Sequence, residues 1–211
     1  LVDLTVSIGT PEATSQLGCF FRWVIFSGFV GSFVGAILAP TAVHVFSKGI
    51  MLFKENGSIP KTLLTAFKPK TILKWGQVIK RPRIGTLKSM SWGSLPKGFL
   101  ILNIGVTSIY TIGVLCSMLA GALLPELLAT AINLSGIVNG MATIMLTLFV
   151  DPAGARITDQ AIHGDRPEGD VKSVVFFLIS GRLLGTLIVT QLLFKPFTYY
   201  IMIVTKWIAG I

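Results

Sequence analysis

Charge is scarce in this sequence. Only 13% of its 211 residues are Asp, Glu, Lys or Arg, against 52% hydrophobic residues, and the mean hydropathy is +0.77. A soluble domain of this length needs more polar surface than that. Cysteine is scarce as well. Cys19 and Cys116 lie in apolar runs, and neither has a second cysteine or a histidine at ligand spacing. That removes the disulfide-framework and metal-cluster readings and leaves buried, inert thiols. The two histidines, His44 and His163, stand alone, and there is no zinc motif, P-loop or nucleophile–base pair. No catalytic residue, metal or cofactor is therefore expected. Strict alternation of apolar and polar residues is missing too, which leaves helices rather than strands. The chain begins at Leu1 with no charged n-region and cleavage site after it, so an N-terminal piece is expected to precede it. There is no convincing internal repeat.

What the sequence has in quantity is apolar runs of about 20 residues, each long enough to cross ~30 Å of hydrocarbon at ~1.5 Å per residue. The expected fold is an all-α integral membrane protein, a polytopic helical bundle forming a single membrane domain over 1–211. About five spans are expected, at 19–46 (kinked near Pro40), 98–124, 127–150, 171–194 and 197–211. Pro125-Glu126 and Lys195-Pro196 read as turns, and Asp151-Pro152 as the end of the third span. Residues 152–170 read as a solvated, charged connector.

Ten of the 18 basic residues lie between Lys54 and Lys97, opposed only by Glu55, so that stretch carries +9, the net charge of the whole chain. By the positive-inside rule this basic loop is cytoplasmic. Counting five spans then puts residues 1–16 outside, and the 152–170 connector and the C-terminus inside. A further N-terminal span would make six, with both ends in the cytoplasm.

Within the loop, residues 70–80 read as an amphipathic helix. Ile72, Trp75 and Ile79 fall on one side, and Lys70, Lys74 and Arg81 on another, with Lys80 adjoining. Such a helix lies in the interface with its cations towards anionic lipid, each contributing about 1 kcal/mol. Two readings stay open, a pure topology signal or recruitment of anionic and pyrophosphate headgroups. Nucleic acid is not expected, since the basic patch adjoins membrane spans and carries no binding motif.

Arg182 is the most informative polar residue. It lies about 16 Å along the fourth span at ~1.5 Å per residue, near the bilayer centre, where an arginine costs at least ~2.5 kcal/mol on insertion scales. It is expected to face protein or a wet cavity, with Gly181 and Gly185 forming a ridge beside it for close helix approach. Thr186 and Thr190 continue its face. Either Arg182 sits in a buried ion pair that fixes packing, or its planar fork binds a phosphate or pyrophosphate. On the third span Ser135, Asn139, Thr143, Thr147 and Asp151 recur every four residues, with Gly136 and Gly140 as a second small-residue pair and Gly31 with Gly35 as a third on the first span. These polar groups read either as glue between helices or as groove lining.

The run NGMATI (139–144), VDP (150–152), TD (158–159), Gly164, GRLLGTL (181–187) and Pro196 stand in order. In this the chain resembles the C-terminal half of the Amj family, lipid II flippases able to substitute for MurJ in bacterial peptidoglycan synthesis. The matching motifs cover about 130–196, and the family is longer at the N-terminus by about one span. The resemblance implies a multi-pass protein of the bacterial cytoplasmic membrane whose task is transport rather than catalysis. Its partners would be lipid II or a related polyprenyl-pyrophosphate lipid, together with anionic membrane lipids. On that footing Arg182, Asn139, Thr143 and Thr186 are candidates to line a hydrophilic groove, with Asp151 and Asp159 at its cytoplasmic end. Lys70, Lys74, Lys80 and Arg81 would collect the headgroup. A homo-oligomer would enlarge the small cavity that five or six helices offer. The competing readings are a membrane enzyme acting on a polyprenyl-phosphate lipid through Asp151 and Asp159, and a scaffold subunit in which Arg182 only pairs structurally.

Overall fold

The computed structural model describes residues 10–58 and 96–211, without the side chains of 48, 52, 55, 56 and 168. The basic candidates Lys70, Lys74, Lys80 and Arg81 lie outside the described residues. Every regular element among the described residues is helical: α1 (Pro11–Asn56), α2 (Lys97–Leu123), a 3-10 turn (Pro125–Leu127), α3 (Leu128–Met145), α4 (Asp151–Ile162), α5 (Glu168–Leu184) and α6 (Thr190–Ala209). Two π-helical segments, Leu146–Val150 and Gly185–Val189, join α3 to α4 and α5 to α6.

Among the described residues four rods are therefore long and apolar enough to cross a membrane, not five: Pro11–Met51, Lys97–Leu123, Pro125–Ile162 and Gly169–Ala209. The extra span comes from Pro196 read as a turn, and Pro152 read as a stop cut the third span short. Before Pro152 the ladder opens to a wider turn, with the Asp151 N–H donating to the Leu146 carbonyl. Pro152 follows in the first turn of α4, and the widened turn before it accommodates a residue with no N–H to give. Pro196 and Pro40 sit inside α6 and α1 without ending either helix. In hydrocarbon a proline forfeits one backbone bond whereas a turn exposes several groups, so continuing the helix is cheaper. Residues expected as a connector are accordingly mostly α4. It ends at Gly164 (φ 84°), where the Gly164 and Asp165 N–H groups bond back to the Ala161 and Gln160 carbonyls.

Two compact units divide the chain, Leu1–Val30 with Met90–Ile211, and Gly31–Ser89. Among its described residues the second unit holds the remainder of α1, closed by Gly57 at φ 68°. Gly31 and Gly35, expected as a packing ridge, have open space where a Cβ would stand.

In the first unit α2 is the central rod. Its pairing with α3 is antiparallel: Gly113 meets Asn139 and Gly121 meets Leu128. Its pairing with α5 and α6 is parallel: Asn103 donates to the Leu178 carbonyl at 3.3 Å, Gly185 abuts Ile104 and Ser108, and Cys116 Sγ donates to the Phe194 carbonyl at 3.4 Å. The N-terminal part of α1 meets both α2 and α6, since Gly18 reaches Leu119 and Arg22 reaches Gln191. One apolar cluster, with Leu17, Phe21, Ile25, Ile112, Cys116, Leu134, Phe194 and Ile201, holds the end near Leu123; a smaller one, Phe99, Val150, Ile157 and Val174, holds the end near Lys97. Lipid-type surface covers the rest: Ile101, Ile137, Met141, Leu148 and Leu192 are all exposed.

Candidate functional site

Glycines set how closely the helices approach. A Cβ on Gly185 would stand 2.9 Å from Ser108 Oγ and 3.1 Å from the Ile104 carbonyl oxygen, and one on Gly181 would stand 2.5 Å from Asn103 Nδ2. One on Gly113 would overlap Asn139 Oδ1. The Gly136 and Gly140 pair, expected to do the same, faces open space.

The face that carries Gly181 and Gly185 decides where Arg182 points. Neighbours on a helix differ by about 100°, so with the glycines against α2 the arginine turns away, and Arg182 is exposed in this unit. This corrects the expectation that it faces protein. It lies beside Asn103 and Ile104, between the Lys97 end of α2 and its middle. Among the described residues its side chain makes no ion pair or hydrogen bond, so the Asp151–Arg182 pair is not formed.

The other candidates do not converge on it. Thr186 is buried and donates to the Arg182 carbonyl at 2.8 Å. Asn139 packs ten residues further along α2 than Gly181 does, an axial separation of about 15 Å at 1.5 Å per residue. Asn139 Oδ1 is buried without a hydrogen-bond partner. Thr143 is exposed and donates to the Asn139 carbonyl at 2.8 Å. Asp151 and Asp159 are exposed on α4, and Asp159 stands 3.5 Å from His163 Nδ1. An ion pair at this end is instead Arg166–Asp170, 3.3 Å apart, with Asp170 only 2% exposed and Arg166 half-buried.

A column of buried hydroxyls, Ser108, Thr186, Thr190, Thr198 and Thr205, lines the α2–α6 contact. Each donates to a carbonyl of its own helix four residues back, Thr190 to Thr186 among them. They are polar groups made safe for hydrocarbon rather than free donors.

Two hollows remain. One, about 660 Å³, is apolar and lies along α2 and α3, lined by Ile101, Gly105, Ile109, Val138, Met141 and Phe197 among others. The other, about 470 Å³, lies towards the Leu123 end between α1, α2 and α6, and its lining includes Arg22, Lys195, Cys19, Ser15, Thr198 and Tyr199. Arg22 Nη1 donates to Gln191 Oε1 at 3.1 Å and to its carbonyl at 3.3 Å. Gln191 Nε2 returns a bond to the Arg22 carbonyl at 3.1 Å. The guanidinium also stands 5.5 Å from the centre of the Phe194 ring. Sequence reasoning passed over Arg22 although its signal matches that of Arg182, an arginine inside an apolar run. Asn103, buried at 4%, was missed in the same way.

The family described as "Amj: Alternate to MurJ" matches residues 4–205 of this chain. The "Lipid II flippase Amj" of Bacillus subtilis (strain 168) is 36% identical over 197 residues, which cover 93% of this chain and 73% of that protein. No solved structure matches it.

Proposed function

The chain belongs to the Amj family, and from that premise we propose that it moves lipid II from the cytoplasmic to the outer face of the bacterial cytoplasmic membrane, as a transporter and not an enzyme. The observation that carries this reading is the match to a lipid II flippase over nearly the whole chain. The geometry supports it in kind. Taking a pyrophosphate into hydrocarbon uncompensated is prohibitive, and the four rods offer two features such a cargo needs, a cationic hollow and an apolar groove along α2 and α3 open to a prenyl chain.

The parallel run of α2 with α5 and α6 revises the orientation. With the 54–97 region cytoplasmic, the Lys97 and α4–α5 ends are inside. The cytoplasmic C-terminus expected above counted 171–211 as two spans; as one rod parallel to α2 it delivers the C-terminus outside. Arg182 then lies towards the cytoplasmic leaflet. There its exposed guanidinium snorkels to the interface and meets the headgroup, and Lys70, Lys74, Lys80 and Arg81 gather anionic lipid from the cytoplasmic side. Asn139 and Thr186 supply polarity between helices and Thr143 on the exposed face of α3, and Asp151 and Asp159 border the cytoplasmic mouth. The cargo is lipid II or a related polyprenyl-pyrophosphate lipid, and a homo-oligomer would widen the path for so large a headgroup.

Replacing Arg182 by Lys and by Gln, and measuring lipid II on the outer face of cells that depend on this protein, tests the reading. Arg182→Gln is expected to lower transport more than Arg182→Lys. Full transport in both, at normal expression, removes Arg182 from the mechanism. Chemical conversion of lipid II by the purified protein would overturn the transporter reading itself.

A further inference from the structure

We propose that the Arg22–Lys195 hollow is an anion seat in the outer half of the bundle, built to hold the phosphate or pyrophosphate of a lipid headgroup. Three observations carry it. Two cations line the hollow, and no carboxylate is among the lining residues. Arg22 is half-buried yet fixed by a neutral partner: Gln191 holds one guanidinium nitrogen and returns a bond to the Arg22 backbone, so orientation is set without cancelling the charge. Nη1 makes every hydrogen bond described for this side chain, which leaves Nη2 and Nε to donate to an incoming anion.

The surroundings suit the same chemistry. The Phe194 face lies by the guanidinium on the protein side, and Lys195 is one turn on from Gln191, so both cations border one space. Ser15 and Tyr199 offer hydroxyls at the rim, while Thr14 and Thr198 already donate to the Pro11 and Phe194 carbonyls. A hollow of about 470 Å³ accommodates a diphosphate with its first sugar, not a disaccharide carrying a peptide, so the bulk of a large headgroup stays outside it. The seat rests on the lipid II reading only for the identity of the carrier; the anion chemistry stands without it.

Cys19 lines the hollow and is exposed, whereas Cys116 is buried, which provides a reporter within the native chain. The full chain in nanodiscs is labelled at Cys19 with a maleimide, in neutral phosphatidylcholine, with geranylgeranyl diphosphate, with geranylgeraniol, or with phosphatidylglycerol in the disc. The diphosphate is expected to slow labelling and the alcohol to leave it unchanged. Lys195→Gln, at an exposed position, should raise the half-protecting concentration about tenfold, as loss of one charge-assisted contact implies. Arg22→Gln should abolish protection, and Arg22→Lys should keep part of it. Protection by phosphatidylglycerol equal to that by the diphosphate supports the seat and assigns it to ordinary anionic lipid. Equal protection by the alcohol, no protection by the diphosphate, or full protection in Lys195→Gln overturns the proposal. Outer-face lipid II is measured in parallel on the wild-type chain. Protection without transport sinks the flippase reading alone, and transport without protection sinks the seat alone.

Discussion

Gly185→Ala tests the central packing of the bundle. The added methyl would stand 2.9 Å from Ser108 Oγ and 3.1 Å from the Ile104 carbonyl oxygen. Ser108 cannot simply swing aside, because its hydroxyl donates to that same Ile104 carbonyl at 2.6 Å. The carbonyl belongs to the α2 backbone and moves only if the rods separate. Overpacking of this kind costs about 1–3 kcal/mol, partly offset by up to ~1 kcal/mol of helix propensity gained on leaving glycine. The controls are Gly136→Ala and Gly140→Ala, where a Cβ meets nothing within 4 Å, so only the propensity gain of up to ~1 kcal/mol remains. Reversible unfolding in mixed micelles, followed by circular dichroism, should show Gly185→Ala destabilised and the two controls unchanged or stabilised. Equal shifts in all three variants would refute the close α2–α5 approach.

Asn103→Ala removes the bond to the Leu178 carbonyl and opens space beside Gly181, and should cost about 1–3 kcal/mol in the same assay. Asn103→Gln, longer by one methylene against that glycine, should fare no better. An alkaline phosphatase fused after Ile211 should be active, since the proposed orientation puts the C-terminus outside; an inactive fusion that is cytoplasmically protected would reverse that orientation. In the folded protein a maleimide should label Cys19 and spare Cys116, which is 0% exposed; rapid labelling of both would contradict the packing of α2 on α6.

The helical class was legible because long apolar runs leave the backbone no other solution in hydrocarbon. The number and length of the rods were not, because Pro196 and Pro152 look like stops when the lipid around Pro196 and the opened ladder before Pro152 are out of view. The start of α1 was legible and was missed. Thr10-Pro11-Glu12 is a cap, a first-turn proline and a first-turn acid in order, and the Ala13 N–H does bond to Thr10 Oγ1 at 3.3 Å. Beginning the first span at Cys19 left Arg22 near an imagined helix end; beginning it at Pro11 sets Arg22 about 16 Å down the rod. Arg182 stood out by type and depth, but the side it faces depends on which helix the glycines meet, and that is a matter of packing. The separation of Asn139 from Arg182 is of the same kind, fixed by Gly113 and Gly181 at different heights on α2.

Arg22 and Gln191 allow the seat's charge to be separated from its architecture. A carboxylate at position 191 would strengthen the bond from Arg22 Nη1, since a hydrogen bond to a charged group contributes about 1.5–3 kcal/mol against 0.5–1.5 for a neutral one, but would give up the Nε2 donation to the Arg22 carbonyl. It would also neutralise Arg22, leaving Lys195 alone against an added negative charge. Gln191→Glu should therefore stay near wild-type stability while removing diphosphate protection of Cys19 and lowering lipid II on the outer face. Gln191→Leu should act the other way, loosening the α1–α6 contact and leaving an uncompensated arginine that costs stability. A purely structural role for the pair predicts that transport follows stability across the two variants. The anion seat predicts that Gln191→Glu, the more stable of the two, is the one that cannot hold the phosphate.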